Sequence, residues 1–573
     1  WYPRLYAGAA RSATIGSHVD LAPTIAALAG LAPAADWAGR DLLGPDRAPR
    51  AYFFVAEDHF RLGVREHDWK YIYKGSIRDF YPAPELNISK YGFQLYAESL
   101  DPKSKSEALE LSKHLGRHVP FEELNTLIDF AFLCLHGCDG EDGRVQGMLE
   151  LLRIPYSGSG ILSSAIGMNK AVQKQLMQQA GFNVPAYYKI TLDDWNAAEN
   201  RRSIFDSAKS IAGFPFVVKS ANQGSSIGVS VVKEDDFDIF VKAVDRSFFT
   251  RKITSQQWNA FNAEEKSEWV RALADIREGT GMPVLIDGKY FAHPDLVFDF
   301  ISDHFKTKST EVVINAVESE SEVLIEQFIS GKEFSCIVVE TENGKAVALP
   351  PTEIRKGKEV FDYRSKYLPG LSRKITPIEL ADEQLQLIRK QCEMLFDALH
   401  FNVYARLDGF MSDDGKVYLN DPNTTSGMLP SSFFFHQAAE IGLNPSQFLT
   451  YIIRTSIRAR ISDFKDAFKM PAMLKKLDAA IDHHQQHKKE KIKIAVMLGG
   501  YSSERHISVE SGRNVYEKLS SSEKYEPIPV FVTGNNTAHS LFSIPVNILL
   551  KDNADDIREK IDHYKVHPLI HQI

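Results

Sequence analysis

The chain has 573 residues, 44% of them apolar and 25% charged, with a formal net charge of −8. That length suits three or more domains with sizeable cores, and the acidic balance offers no general field for nucleic acid or an anionic membrane. No apolar run reaches the roughly eighteen residues of a membrane span, and no signal-peptide pattern opens the chain, so a soluble, cytoplasmic protein is expected. The four cysteines, Cys134, Cys138, Cys336 and Cys392, lack the second close pair that a zinc site needs.

Residues 1–50 are rich in Ala, Pro, Arg and Leu, where later segments favour Lys, Glu, Ser and Phe. A helix is expected from near Pro23 to Gly30, then strands at 51–55 and 69–73. His18 and Asp20 read as packing or capping groups and not as a metal site. The runs His18-Val19-Asp20-Leu21-Ala22-Pro23-Thr24, Gly39-Arg40-Asp41-Leu42-Leu43 and Trp69-Lys70-Tyr71-Ile72-Tyr73 resemble the C-terminal part of sulfatases. The nucleophile and most metal ligands of those enzymes lie upstream of such a segment, so no hydrolase activity is expected from residues 1–80.

From about residue 100 the pattern is α/β. A short helix at 121–124 precedes a mostly apolar strand, 127–135, suited to the interior of a parallel sheet. His136 and Gly137 follow at its carboxyl end, where open α/β sheets place ligands. A helix over 145–152, a turn at 155–160 and one long helix over 163–179 come next; the last carries Lys170 and Lys174 and is closed by Gly181. Residues 216–232 alternate as two antiparallel strands interrupted by Gly224-Ser225-Ser226-Ile227-Gly228. The first strand delivers Lys219, and the loop's free N–H groups suit phosphate oxygens. Helices are expected over 235–278, a short strand near 281–287, and a strand at 323–329. There Glu326 borders an apolar slot fit for a purine ring, although strand packing alone accounts for Ile325 and Phe328.

Arg406 and Asp408 lie on one strand and Asp421 and Asn423 on the next, either side of the Asp413-Asp414-Gly415 turn. Period-two alternation puts each pair on one face. Oxygen donors on neighbouring strands beside a phosphate loop suit Mg²⁺. The alternative is a surface hairpin with solvated acids, against which the apolar Tyr404, Leu407, Phe410 and Tyr418 speak.

Residues 120–455 resemble the D-alanine–D-alanine ligases of the ATP-grasp superfamily. The matching runs keep their order: His136-Gly137 with Gly140-Glu141-Asp142-Gly143, Gln146-Gly147-Met148-Leu149-Glu150, Ile154-Pro155-Tyr156-Ser157-Gly158-Ser159-Gly160, Met168-Asn169-Lys170, Val218-Lys219 with the glycine loop, Glu326 through Glu333, Tyr363-Arg364-Ser365-Lys366-Tyr367, Arg406-Leu407-Asp408 and Asp421-Pro422-Asn423-Thr424-Thr425-Ser426-Gly427-Met428. The resemblance implies an α/β chain with an ATP-grasp fold, two α+β lobes clasping ATP, beside a Rossmann-like lobe split between about 100–165 and 491–573. It implies that Lys170 and Lys219, with Ser225 and Ser226, contact ATP phosphates and that Glu326 and Glu333 sit at the nucleoside. Asp408, Asp421 and Asn423 are implied to hold Mg²⁺, with Mn²⁺ as a substitute. Arg406 is implied to stabilise the oxyanion that develops at the reacting carboxyl. Lys366 and Tyr367 belong to the family's mobile lid, and Ser432 to the carboxylate site of the second amino acid. The implied reaction joins two D-alanines through an acyl phosphate, for peptidoglycan precursor synthesis, and a homodimer is an assembly this reading admits.

The chain departs from the family pattern at Asp421, where Glu is usual, at Ser426 for Pro, at Phe361 for Tyr and at Gln327 for Lys. The stretch between Val232 and Val323 is longer than usual and reads as extra helices. Residues 461–490 read as a charged helical linker whose His483, His484 and His487 are solvated. Residues 491–573 then resemble the beginning of a ligase, placed after the body. Glu504 is implied to hold the amino group of the first D-alanine, with Ser508 near it. Three arrangements stay open: a tandem of two ligase units, a circular permutation in which the tail folds back, or completion of one chain by another. The expected domains are 1–80, 100–165, 166–330 with an insertion at 235–320, 331–460, the linker 461–490 and the lobe 491–573. Ligation of another carboxylate and amine, or nucleotide binding without turnover, are the competing functions.

Overall fold

The computed structural model describes residues 50–56, 60–66, 69–74 and 77–81 by their backbone, and residues 119–563 apart from gaps at 198–200, 225–226, 277, 308–309, 318, 357–371, 430–431, 464–468, 487–490 and 536. The expected helix near Pro23 to Gly30, His18 and Asp20, and the lid residues Phe361, Lys366 and Tyr367 lie outside the described residues, as do Ser225 and Ser226. The chain divides into two compact units, 1–117 with 249–319, and 118–248 with 320–573.

In the first unit, Arg50–Ala56, Phe60–Glu66, Trp69–Lys74 and Ile77–Tyr81 pair in sequence order as an antiparallel meander. Residues 249–319 add a four-stranded antiparallel sheet in the order Lys289–Phe291, Val284–Ile286, Glu311–Ala316, Thr250–Thr254. The short strand expected near 281–287 is Val284–Ile286, but the reading of the insertion as extra helices is corrected, since three more strands join it in a sheet. Its strand Glu311–Ala316 buries every second residue, including Val312 and Ile314, a period-two pattern that helical spacing cannot satisfy. The helices Ser255–Ala260 and Ala263–Ala274 begin with capping boxes, Thr254 with Gln257 and Asn262 with Glu265. Trp258, Val270, Ile301 and Ile314 form a core of their own.

In the second unit, one antiparallel sheet runs Tyr187–Thr191, Glu322–Gln327, Phe216–Ser220, Ser230–Val232. A larger one runs Ser372–Ile375, Thr352–Lys356, Gly331–Glu340, Tyr404–Ser412, Val417–Asn423, with Ala346–Ala348 on Gly331–Glu340. The strand Gly331–Glu340 is buried on both faces. Phe334, Cys336 and Val338 pack under the helix Asp382–Ala398, while Ile337 and Val339 pack toward Phe434 and Ile452. That division is the direct product of side chains alternating across a strand.

Two expected elements form differently. The long helix over 163–179 is two helices, Ile161–Met168 and Lys170–Gln179, because Asn169 adopts an extended backbone and its side chain caps the second helix at Val172 N, 2.9 Å away. The strand expected at 127–135 is reduced to an isolated parallel bridge between Ala131 and Tyr156. Of the split lobe, the described part of the first segment contributes this bridge. Residues 491–563 make a sheet of three strands, with Ile492–Gly499 parallel to Tyr525–Gly534 across the helix Arg505–Ser520, and His539–Ser543 antiparallel beyond.

This tail docks on the body of its own chain. Lys551 reaches Glu440 at 2.5 Å and the carbonyl of Thr376 at 2.5 Å, and Arg373 pairs with Asp556 and Glu559. Val546 and Leu550 join the apolar cluster of Phe434, Tyr404 and Ile452. Within this interface His436 is buried, and burial together with Lys374, Arg513 and Lys551 holds its imidazole well below the usual range. The unfolded chain takes up that proton near pH 6.5 and the folded chain does not, so this group lowers stability as pH falls through about 6.5. His436→Gln is expected to remove a slope of up to ~1.4 kcal/mol per pH unit below that point, read as the difference in thermal unfolding between variant and parent from about pH 8 to about pH 5.5.

Candidate active site

A cleft of about 630 Å³ is lined from both sheets of the second unit by Lys170, Lys219, Glu326, Glu333, Arg406, Asp408, Asp421 and Asn423. Strand register explains the meeting. In the first sheet Val217 faces Glu326 and Lys219 faces Leu324, so Lys219 and Glu326 share a face as diagonal neighbours. In the second, Ser335 faces Asp408 and Ile337 faces Arg406, which puts Glu333, Ser335, Arg406 and Asp408 on one face. Gly409 lets that strand sit close: a Cβ there would lie 2.6 Å from Phe334 Cζ and 2.6 Å from Tyr418 O.

The simple alternation expected for Asp421 and Asn423 is broken by a β-bulge. Arg406 faces Asn423 but Asp408 faces Asn420, so two steps on one strand meet three on the other. Asp421 takes up the extra residue at φ 46°, a left-handed conformation that Asp tolerates better than most. Asn420 thereby becomes the cross-strand partner of Asp408, a residue that alternation along the sequence passes over.

Three lysines converge here, Lys174 and Lys219 buried and Lys170 half-buried. Lys219 Nζ lies 3.0 Å from Glu326, 2.9 Å from Asp421 and 3.2 Å from Asn420. Lys174 Nζ lies 3.2 Å from Glu326 and 3.1 Å from Asn420, and Lys170 donates to the carbonyl of Gln223. Burial lowers the pKa of Lys170 and of Lys174. Burial also acts against Lys219, but Asp421 and Glu326 overcome it and raise its pKa. For Asp421, burial is outweighed by Lys219, Lys170 and Lys174, which hold its carboxyl well below the usual carboxylate range. Lys174 stands one helical turn after Lys170 on the same face, a spacing that could have marked it. Glu320, which accepts from Asn222 N at 3.2 Å and Nδ2 at 3.0 Å, carries no local sequence signal, and burial raises its pKa.

Around the reacting end, Arg406 Nη2 lies 3.1 Å from Asp408 and Ser335 Oγ donates to Asp408 at 2.7 Å. Asn423 donates its amide to the carbonyl of Asp421 at 2.5 Å, which leaves the Asn423 side-chain oxygen as a donor atom for a cation. Two carboxylates and an amide oxygen on one cleft wall, beside three lysines, form a donor set that fits a hard divalent ion shared with phosphate oxygens. The loop 136–143 is tied to the same wall, since Glu141 accepts from Gly137 N at 2.6 Å and from the Thr425 hydroxyl.

Ser432 and Glu504 do not line this cleft. Ser432 is the N-cap of the helix Phe433–Glu440, and its buried hydroxyl has no hydrogen-bond partner among the described residues. Glu504 is exposed at the start of the helix Arg505–Ser520, and the Ser508 hydroxyl accepts from Gly499 N at 3.1 Å.

The family model described as D-ala D-ala ligase C-terminus matches residues 176–284 and 304–454, and that described as D-ala D-ala ligase N-terminus matches 79–159 and 493–564. A D-alanine–D-alanine ligase of Bacillus anthracis (strain A0248) is 32% identical over 334 residues, 58% of this chain and 81% of that protein. One from Geobacillus thermodenitrificans is 30% identical over 307 residues, 54% of this chain, and the chain spans 64% of that relative's length. The crystal structure of the Bacillus anthracis D-alanine–D-alanine ligase is 27% identical, with 66% of this chain and 96% of that one covered at a TM-score of 0.40.

Proposed function

The chain belongs to the D-alanine–D-alanine ligase family, and from that membership we propose that it uses ATP to join two D-alanine molecules through a D-alanyl phosphate. The observation that carries the reading is the meeting of Lys170, Lys219, Arg406, Asp408 and Asp421 in one cleft, with Lys174 behind it against Glu326. The cations suit a polyphosphate, and the arginine suits a carboxyl oxygen whose charge grows during reaction.

In the proposed course a carboxylate oxygen of the first D-alanine attacks the γ-phosphorus and ADP leaves. The amine of the second D-alanine then attacks the acyl carbon, loses a proton, and phosphate departs. Catalysis by this chain is positioning and charge stabilisation. Lys170 and Lys219 bind phosphate oxygens; Lys219 exchanges Asp421 for phosphate as it does so. Glu326 and Glu333 hold the nucleoside. Arg406 faces the reacting carboxyl, steadied through Asp408 by Ser335. Asp408, Asp421 and Asn423 would hold Mg²⁺, which when bound supplies neutralisation of phosphate charge. Ser225 and Ser226 add phosphate contacts, Lys366 and Tyr367 a lid that excludes water, Ser432 a hydroxyl for the second carboxylate and Glu504 a partner for the first amine. A cytoplasmic setting for cell-wall precursor synthesis goes with this reading; no helix among the described residues is long and apolar enough to cross a membrane.

A second reading, nucleotide binding without turnover, is favoured by the bulge that turns Asp421 toward Lys219. Phosphate release by the purified 573-residue chain with ATP, Mg²⁺ and D-alanine separates the two. Release is expected to depend on D-alanine and to fall on the order of 10²–10³-fold in Arg406→Ala. Nucleotide binding with no release would favour the second reading, and release unaffected by D-alanine would be transfer of the γ-phosphoryl group to water and would overturn D-alanine as the acceptor.

A further inference from the structure

The glycine turn between the strands Phe216–Ser220 and Ser230–Val232 is gripped at both ends by residues that do not themselves line the cleft. At its start, Glu320 accepts from Asn222 N at 3.2 Å and from Asn222 Nδ2 at 3.0 Å, and the Gln223 side chain and the Lys170 charge also favour this carboxylate. Lys170 donates its ammonium to the carbonyl of Gln223 and its backbone N–H to Ala221 O at 3.0 Å. At the far end stands Ser247, the last residue of the helix Phe237–Ser247. Its hydroxyl lies 2.6 Å from Gly228 O and 2.9 Å from Ala243 O, and its carbonyl accepts from Ser220 Oγ at 2.7 Å. Ser247 and Glu320 are buried, while Ser220, Gln223 and Gly224 face the cleft. Gly224 and Gly228 supply no side-chain packing, so the course of the turn depends on where its ends are fixed.

Both anchors stand at the roots of the insertion. The chain leaves the second unit after Phe248 and re-enters it at Glu320, so Ser247 precedes the last residue before the exit and Glu320 is the first residue back. The insertion closes its own base directly beyond these points: Ala316 N donates to Phe249 O at 3.0 Å, and Asn315 pairs with Thr250 both along the strands and through their side chains at 2.9 Å. A closed base fixes how far apart the two roots can lie, since a few residues of chain separate it from Ser247 on one side and from Glu320 on the other.

We infer that Ser247 and Glu320 are positioning residues for the phosphate-binding turn, and that the insertion 249–319, by fixing its two roots, sets the affinity for the phosphates of the nucleotide. Glu320 acts through Asn222 and Gln223, and Ser247 through Gly228 and Ser220. An insertion whose base loosens releases both ends of the turn together. The naming of ATP as the ligand rests on the ligase reading above; the grip on the turn does not.

The test is calorimetric binding of ATP and of AMP, each with Mg²⁺, to the full chain; AMP lacks the outer phosphates and serves as the reference. Glu320→Ala should weaken ATP on the order of tenfold and AMP by less than about twofold. Glu320→Gln, whose amide oxygen still accepts from both Asn222 groups, should recover most of that loss. If thermal unfolding shows that Glu320→Ala folds poorly, Asn222→Ala removes a donor from the other side of the same contact and should give the same ATP-selective loss. Ala316→Pro removes the N–H that closes the base of the insertion and should weaken ATP selectively by about threefold or more, whereas Ala316→Ser keeps the N–H and should not. Equal losses for ATP and AMP, no loss, or a Gln variant as weak as the Ala variant would overturn the positioning role. Unchanged ATP affinity in Ala316→Pro would overturn the part given to the insertion. ATP-selective losses in a chain that releases no phosphate would keep this inference while the ligase reading fails. D-alanine-dependent release with ATP affinity unmoved by these variants would do the reverse.

Discussion

Lys219→Met should reduce D-alanine-dependent phosphate release on the order of 10²–10³-fold, with much of the loss in ATP binding. Lys219 lies between Glu326 and Asp421, and no other lysine among the described residues contacts both carboxylates directly. The fold should survive, because Lys174 still reaches Glu326 and Lys170 still acts on Asp421. A loss well below the ~3–5 kcal/mol of an unpaired buried charge is therefore expected in thermal unfolding. The pH dependence carries a sharper signature. In the parent the lysines keep Asp421 ionised, against its burial, down through the usual carboxylate range. Without Lys219 the carboxyl takes up its proton at higher pH, so the ratio of parent to variant activity should grow as pH falls toward the usual carboxylate range. A flat ratio would show that Asp421 does not depend on Lys219.

Lys551→Met should loosen the tail from the body. Glu440 is buried and its one described cationic contact at the interface is Lys551, 2.5 Å away. Removing the ammonium strands a buried carboxylate, at a cost of about 3–5 kcal/mol unless the group protonates. Burial already raises the Glu440 pKa in the parent. Two thermal transitions in place of one, and faster hydrogen exchange in the helices Phe433–Glu440 and Val546–Leu549, are the expected readouts. Lys551→Met with Glu440→Leu should restore docking, since an apolar pair of similar size can replace a buried ion pair at little cost. If the double variant is as loose as the single one, the docking depends on something other than this charge pair, and the apolar contacts of Val546 and Leu550 become the candidates.

Much of the cleft is legible in the order of residues. Lys219 at the end of a strand, Glu326 on the next and Arg406 with Asp408 on a third are local patterns, and the fold brings these residues together with Lys170, Glu333, Asp421 and Asn423. Less legible is Asn420. Strict alternation removes it from the Asp408 face, and only the bulge returns it. Lys174 is visible as a residue one turn from Lys170, but its burial against Glu326 depends on a strand more than a hundred residues away in sequence. The strand expected at 127–135 has the apolar run of a sheet interior, yet a strand exists only through a neighbour's hydrogen bonds, and one bridge is what its local partner supplies.

By itself the sequence determined the chemical inventory and the local elements: which lysines, carboxylates and amides the chain owns, where strands alternate and where helices can start. Those depend on residues a few positions apart. Tertiary structure alone decided the bulge at Asp421, the sheet hidden in the insertion at 249–319, and the docking of 491–563 on the body through Lys551 and Glu440. Each of these is set by backbone pairing or by desolvated charge between distant segments. The physical reason is that a buried hydrogen bond or ion pair takes its strength from what surrounds it, and a linear order of residues does not specify those surroundings.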